Sequence, residues 1–276
     1  MPTIGFYGLG TMGYAMASRL AGAGLPVAVA DRDEALVARW RGEHAAATHA
    51  PDSAEVVISC VTDEPAARSL LLGEGLLSRA GAGQLFIDHT TTSPAFAREA
   101  DGLAAARGAA FIDAPVSGGA AGARDGSLSV MAGGEDEAVR LASTVLKHYA
   151  ARITPLGASG AGQVGKLCNQ VAIAGIVRGL AEAVALARAA HLDEAALLDA
   201  LAVGTARSNQ LEQHRDKLLD AKQGFAASFE WLDKDLAHAL DEAAAHRAPL
   251  PMAKLVKDML GRRPVEPVGL ARRKTT

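Results

Sequence analysis

The chain has 276 residues, 49% of them apolar, with 28 basic against 31 acidic side chains and a mean hydropathy of +0.12. That size suits one large or two unequal domains, and charge is too sparse for a disordered chain. Two Trp, three Tyr and six Phe at a net charge of −3 supply neither a base-stacking platform nor a phosphate-neutralising surface, which excludes nucleic acid as the expected partner. Cys60 and Cys168 are too few for a disulfide framework, and no charged-then-apolar leader precedes Ile4, so a cytoplasmic setting is expected.

Residues 1–10 read as a short buried strand running into glycines, and further β-rich runs follow at 26–30, 56–61, 84–88, 110–113 and 128–133. Helical stretches at 12–23 and 34–41 separate the early ones, an alternation that predicts a doubly wound parallel α/β sheet covered on both faces. Beyond about residue 156 the texture changes. The run 171–190 is rich in Ala, Leu and Val with Arg178, Glu182 and Arg188 interspersed, and reads as helix. Continued back to 162 it spans about 43 Å at 1.5 Å per residue, long enough to leave one domain and enter another. A membrane span is not expected. The uninterrupted apolar stretch between Lys166 and Arg178 is 11 residues and holds Asn169 and Gln170, short of the ~20 required. Further helices at 193–201, 209–221, 232–246 and 252–260 predict an all-α second half, and the basic, proline-bearing stretch 262–276 a loosely held terminus. The expected domains are 1–160 and 161–276.

Gly8-Leu9-Gly10-Thr11-Met12-Gly13 follows the first strand and opens a helix, the setting in which Gly-x-Gly-x-x-Gly signals a dinucleotide site. Gly8 serves a tight turn, Gly10 the approach of a pyrophosphate and Gly13 helix–strand packing, while N–H groups at the helix start attract phosphate. Asp31, 18 residues past Gly13, is placed to accept ribose hydroxyls and repel a 2′-phosphate, which favours NAD; Arg32 beside it keeps NADP open. A second cluster, Asp113-Ala-Pro-Val-Ser117-Gly118-Gly119, closes another strand. Its hydroxyl and backbone N–H groups suit a carboxylate, although an ordinary loop would read the same. A third, Gly160-Ala-Gly-Gln-Val-Gly-Lys-Leu-Cys-Asn-Gln170, opens the long helix, with Lys166 and Asn169 three apart on one face. Gly162 and Gly165 share that spacing and allow a backbone or cofactor close to the helix. Cys168, one position off the face, reads as a small buried hydrophobe, and Asp113 as a residue that fixes its loop. No Cys, His, Asp or Glu grouping has metal-ligand spacing, so no metal is expected.

In this order and spacing, the stretch Phe6-Tyr-Gly-Leu-Gly-Thr-Met-Gly-Tyr-Ala-Met16, the 113–122 loop and the 160–170 helix start resemble the β-hydroxyacid dehydrogenase family of the 3-hydroxyisobutyrate dehydrogenase type, and the likeness is chain-wide. Asp88-His-Thr-Thr91 resembles the family's Asp-Met-Ser-Thr segment near the nicotinamide, and Lys234-Asp-Leu236 its cofactor-contacting Lys-Asp motif. The resemblance implies a Rossmann domain, a long interdomain helix, an α-helical domain and a homodimer or homotetramer. It also implies roles. Lys166 would be the acid/base, Asn169 would orient the reacting oxygen, Ser117, Gly118 and Gly119 would anchor a substrate carboxylate, and Thr91 and Lys234 would position the cofactor. Gln170 stands where many members have a second Asn and takes a supporting role. His89 fills a Met position as a loop residue, and Trp231 reads as core in preference to a cover over the substrate. The expected activity is hydride transfer between NAD(P) and a small 3-hydroxy acid or its semialdehyde. An imine reductase-like enzyme and a non-catalytic NAD(P)-binding interaction module are the alternatives, and Lys166 speaks against both.

Overall fold

The computed structural model describes residues 1–45, 47–73, 75–220 and 224–261. Two compact units adjoin in the chain between Lys166 and Leu167. In the first, β1 (Ile4–Tyr7), β2 (Val27–Ala30), β3 (Val56–Ser59), β4 (Leu85–Asp88) and β5 (Ala110–Asp113) run parallel in the order β2-β1-β3-β4-β5. Ile4 lies opposite Val27 on one side and Val56 on the other. The helices between and after them are α1 (Thr11–Gly22), α2 (Glu34–Glu43), α3 (Glu64–Leu71), α4 (Pro94–Ala105), α5 (Gly119–Asp125) and α6 (Asp136–Leu146).

Successive strand residues point to opposite faces, so each strand feeds two cores. Val56 and Ile58 join a cluster sealed by Met16 and Leu20 of α1, Trp40 of α2 and Val139 of α6. Val57, Phe86 and Phe111 join a second cluster sealed by Leu71 of α3 and by Phe96 and Ala100 of α4. The near-continuous apolar strands follow from this double coverage. Beyond β5 the expected parallel pattern gives way. β6 (Val116–Ser117) and β7 (Leu128–Gly133) pair antiparallel, β5 also meets β7 antiparallel, and β8 (Ala150–Gly157) pairs parallel with β7. The sheet is therefore mixed. Residues 118–127 are too short a connection for a parallel crossover, which takes a dozen residues or more, so the chain returns as a hairpin closed by α5.

The second unit is helical, formed by most of α7 (Ala161–Ala189) with α8 (Glu194–Val203), α9 (Asn209–Leu219), α10 (Gly224–Ser228), α11 (Leu232–Ala245) and α12 (Pro251–Leu260). Ala174, Val177, Leu180 and Val184 recur at three- and four-residue intervals along α7 and meet Leu198, Leu211, Phe229, Leu236 and Val256 in its core. Ile176 and Leu186 of α7 are exposed. By length and composition α7 is apolar enough to cross a membrane, with 33% of its most apolar window buried within the protein; counting only the uninterrupted apolar run misses this. The stretch 262–276 lies outside the described residues.

Candidate active site

The strand order reverses direction between β1 and β3, and in open α/β sheets such a switch point leaves a crevice at the carboxyl ends. A cleft of about 660 Å³ opens there, lined by Gly8, Gly10, Thr11, Met12, Gly13, Asp31 and Arg32 among others. Gly8 holds a φ of +94°, and a Cβ on it would run into the carbonyl of Cys60. A Cβ on Gly13 would strike the carbonyl of Gly8, so the turn and the helix behind it close without side chains. Gly10 has open space around it and starts α1 with no side-chain cap and no acid in the first turn. An uncapped helix start facing a cleft fits a dinucleotide pyrophosphate.

Leu9 departs from its expected place at this site. Its side chain is buried in the core, it does not line this cleft, and its N–H donates to Asp31 Oδ2 at 2.5 Å. Asp31 Oδ1 accepts the Asp33 N–H at 2.8 Å, so the carboxylate that borders the cleft also ties the glycine turn to the end of β2. Arg32 is exposed on the same cleft.

A buried polar layer crosses the carboxyl ends of β3, β4 and β5. Asp88 accepts from the Ser59 and Thr90 hydroxyls at 2.8 and 2.7 Å, and its Oδ2 has no partner among the described residues. Burial raises its carboxyl to about 6 against those hydrogen bonds. His89 lies in the loop after β4 as expected, yet it is a buried pin. Its Nδ1 is 2.6 Å from the Ala114 carbonyl and its Nε2 is 2.8 Å from the Tyr149 hydroxyl. Because a carbonyl only accepts, Nδ1 carries the proton and Nε2 accepts from tyrosine. Burial lowers this imidazole to about 4, which keeps it neutral. Thr91 is half-buried between the buried Thr90 and Thr92.

Asp113 does more than fix its own loop. Oδ1 accepts the Gly160 N–H and Oδ2 the Gln163 N–H, both at 2.7 Å, so the carboxylate caps the start of α7. Burial pushes this carboxyl up to about 7, opposed by the two N–H groups. The expected close approach at Gly162 is present: a Cβ there would sit 2.5 Å from the carbonyls of Asp113 and Met131. One turn on, Lys166 Nζ donates to the Val116 carbonyl at 2.9 Å. That brings Lys166 beside Ser117, Gly118 and Gly119, of which the serine is half-buried and the glycines exposed.

In the helical unit, Asn169 Nδ2 donates to Gln170 Oε1 at 3.0 Å, and Gln170 Nε2 donates to Asp235 Oδ2 at 2.5 Å. Lys234 Nζ pairs with Asp235 Oδ1 at 2.8 Å. Gln170 thus ties Asn169 to the Lys-Asp motif, a link its extra reach supplies and that residue-by-residue reading misses. Two expectations fail here. Trp231 is 39% exposed, standing at the start of α11 against His214, and is not core. Cys168 is exposed, because one step past the buried Leu167 turns it about 100° from the core. Gln163, with no side-chain exposure, was missed; a polar residue amid the small apolar ones of a helix start was the available signal. Among the described residues no group of three or more His, Cys, Asp or Glu is arranged to hold a metal.

A doubly wound sheet with an open glycine turn at its switch point and a lysine-bearing helix beside it defines an NAD(P)-dependent oxidoreductase. The family model for the NAD binding domain of 6-phosphogluconate dehydrogenase matches residues 3–157, and that for the NAD-binding region of NADP-dependent 3-hydroxyisobutyrate dehydrogenase matches residues 160–266. A 3-hydroxyisobutyrate dehydrogenase of Pseudomonas aeruginosa is 36% identical over 94% of this chain and 91% of its own length. An NAD-dependent L-serine dehydrogenase of the same organism is 35% identical over 92% and 90%. The structure of Mycobacterium tuberculosis 3-hydroxyisobutyrate dehydrogenase with L-serine superposes with a TM-score of 0.78 at 32% identity, covering 94% of this chain and 92% of that one. The chain belongs to the β-hydroxyacid dehydrogenase family and acts on CH–OH groups with NAD or NADP. A Streptomyces aurantiacus imine reductase, at 20% identity and a TM-score of 0.65, shares the fold alone, so the imine reductase alternative has the weaker support.

Proposed function

We propose that the enzyme interconverts a short 3-hydroxy acid and its semialdehyde with Lys166 as general acid/base. The observation that carries this reading is the 2.9 Å reach of Lys166 Nζ to the Val116 carbonyl, which sets an amine at the edge of the Ser117–Gly118–Gly119 loop. Those three residues offer a hydroxyl and backbone N–H groups to a carboxylate, and a carboxylate held there leaves a β-carbon oxygen within the compass of Lys166. In oxidation neutral Lys166 takes the hydroxyl proton; in reduction the ammonium returns it. Asn169, held through Gln170 to Asp235, orients the reacting oxygen. NAD(P), when bound, accepts or gives the hydride at the carbon that bears this oxygen.

Gly8, Gly10, Thr11, Met12, Gly13 and Asp31 would hold the cofactor, and Thr91 and Lys234 would take the cofactor-positioning roles that the family resemblance implies. Leu9 contributes through its N–H to Asp31. The Asp31 carboxylate on the cleft supports NAD, and exposed Arg32 gives NADP a partner for its 2′-phosphate. Substrates named for the relatives, 3-hydroxyisobutyrate and L-serine, are carboxylates of the right length. The proposed domain division, 1–160 and 161–276, follows the start of α7 and lies six residues before the boundary of the two compact units, and the proposed setting is cytoplasmic. The exposed apolar face of α7 suits a second copy of the chain, giving a homodimer or homotetramer, which light scattering checks.

The test is an absorbance screen of short 3-hydroxy acids and semialdehydes in both cofactors, repeated with Lys166→Ala. Turnover should fall by about 10²–10⁴, the range for loss of a positioned acid/base. Unchanged turnover on the best substrate would remove Lys166 from that role.

A further inference from the structure

The start of α7 is held from two directions by groups that no role above absorbs. Gln163 is completely buried, and its amide makes two hydrogen bonds to one loop: Nε2 donates to the Thr90 carbonyl at 2.7 Å, and Oε1 accepts the Thr92 N–H at 3.0 Å. Its backbone N–H, with that of Gly160, is taken by Asp113 at the end of β5. One residue thus joins the helix that carries Lys166 to the segment holding Thr91, and to the strand that leads into the Val116–Ser117 edge. The amide is used in both senses, as donor and as acceptor, which neither a carboxylate nor an apolar isostere reproduces. A buried amide with both ends bonded fixes register, since a slip of the helix would leave both partners unsatisfied at the full desolvation cost.

We propose that Gln163, seated on Asp113, is a positioning residue that sets the register of Lys166 against the 90–92 loop and the substrate loop. The proposal rests on the reading of Lys166 as acid/base, and its test separates the two. In Gln163→Met the side-chain volume stays and both hydrogen bonds go. The expected result is a fall in kcat of about 10–100-fold, as for a misplacement of the order of 1 Å, with KM for the cofactor changed less than twofold. Amide hydrogen exchange at 160–165 should rise in the same variant, a readout independent of turnover.

Gln163→Glu adds a sign. Protonated, its hydroxyl donates to the Thr90 carbonyl while its carbonyl accepts from Thr92; ionised, it has no donor for Thr90 and adds a buried charge on the residue whose backbone N–H Asp113 accepts, next to Thr90, which itself donates to Asp88. Its kcat should approach wild type at the acid end and fall as pH rises, a limb absent from wild type. A merely structural role would lower thermal stability and leave that limb out. Normal kcat and unchanged exchange in folded Gln163→Met, alongside an inactive Lys166→Ala, would overturn the proposal. Full activity in Lys166→Ala would instead overturn the acid/base reading, while the exchange data still decide whether Gln163 holds the helix.

Discussion

Two helices start at the carboxyl edge of the same sheet, and they treat their unsatisfied N–H groups in opposite ways. α1 begins at Gly10 with no side-chain cap and no acid in its first turn, and opens onto the 660 Å³ cleft. α7 begins over Asp113, whose buried carboxylate takes two of its N–H groups. The first start is left for an anion from solution; the second has its anion built in. The same physics serves binding in one place and position in the other.

Moving a built-in anion to the open start is the sharpest way to break this contrast. Gly10→Asp has room for its Cβ and should cap α1, adding a few tenths of a kcal/mol of stability, since glycine is itself a tolerable N-cap. The same carboxylate would oppose a pyrophosphate at about 4 Å with on the order of 4 kcal/mol at an effective dielectric of 20, so cofactor affinity should drop by about 10²–10³. Titration by nucleotide fluorescence alongside a thermal melt measures both, and unaltered affinity would place the phosphates elsewhere.

A smaller effect is expected at Asp31, which serves both structure and ligand. Asp31→Ala should lower the NAD-over-NADP ratio of kcat/KM by about tenfold, the scale of one lost charged hydrogen bond. An unchanged ratio would hand the choice to Arg32 or to the glycine turn.

The smallest concerns the anion beneath α7. Asp113 is raised from 3.8 to about 7, chiefly by burial. A carboxyl raised in the folded state contributes its stability fully below the unfolded value and loses it as pH climbs through the folded one. Asp113→Asn does not titrate. The gap in melting temperature between wild type and this variant should therefore narrow by a few degrees from pH 4 to pH 7. A gap that widens with pH would mean that the N–H groups of α7 outweigh burial.

Much of the first start was legible in the chain itself. Gly8 and Gly13 announce their turn because a Cβ on either would strike backbone, Gly10 completes the motif between them, and Asp31 stands at a spacing set by one helix and one strand. The second start was only half legible. Lys166 and Asn169 stood out by type and spacing, yet Gln163 went unassigned, since its worth depends on carbonyl and N–H partners more than seventy residues earlier. Trp231 and Cys168 were misplaced for a related reason: apolar character says that a residue prefers burial, and the neighbours decide whether cover is available.

The order of strands and helices along the chain and the nucleotide turn follow from local rules of backbone geometry, periodicity and side-chain chemistry. Which carboxylate caps which helix, which tautomer His89 holds, and how Gln170 reaches Asp235 were decided only when distant segments met. Hydrogen bonds inside a core join groups by position in space, and separation along the chain leaves no local trace of that position.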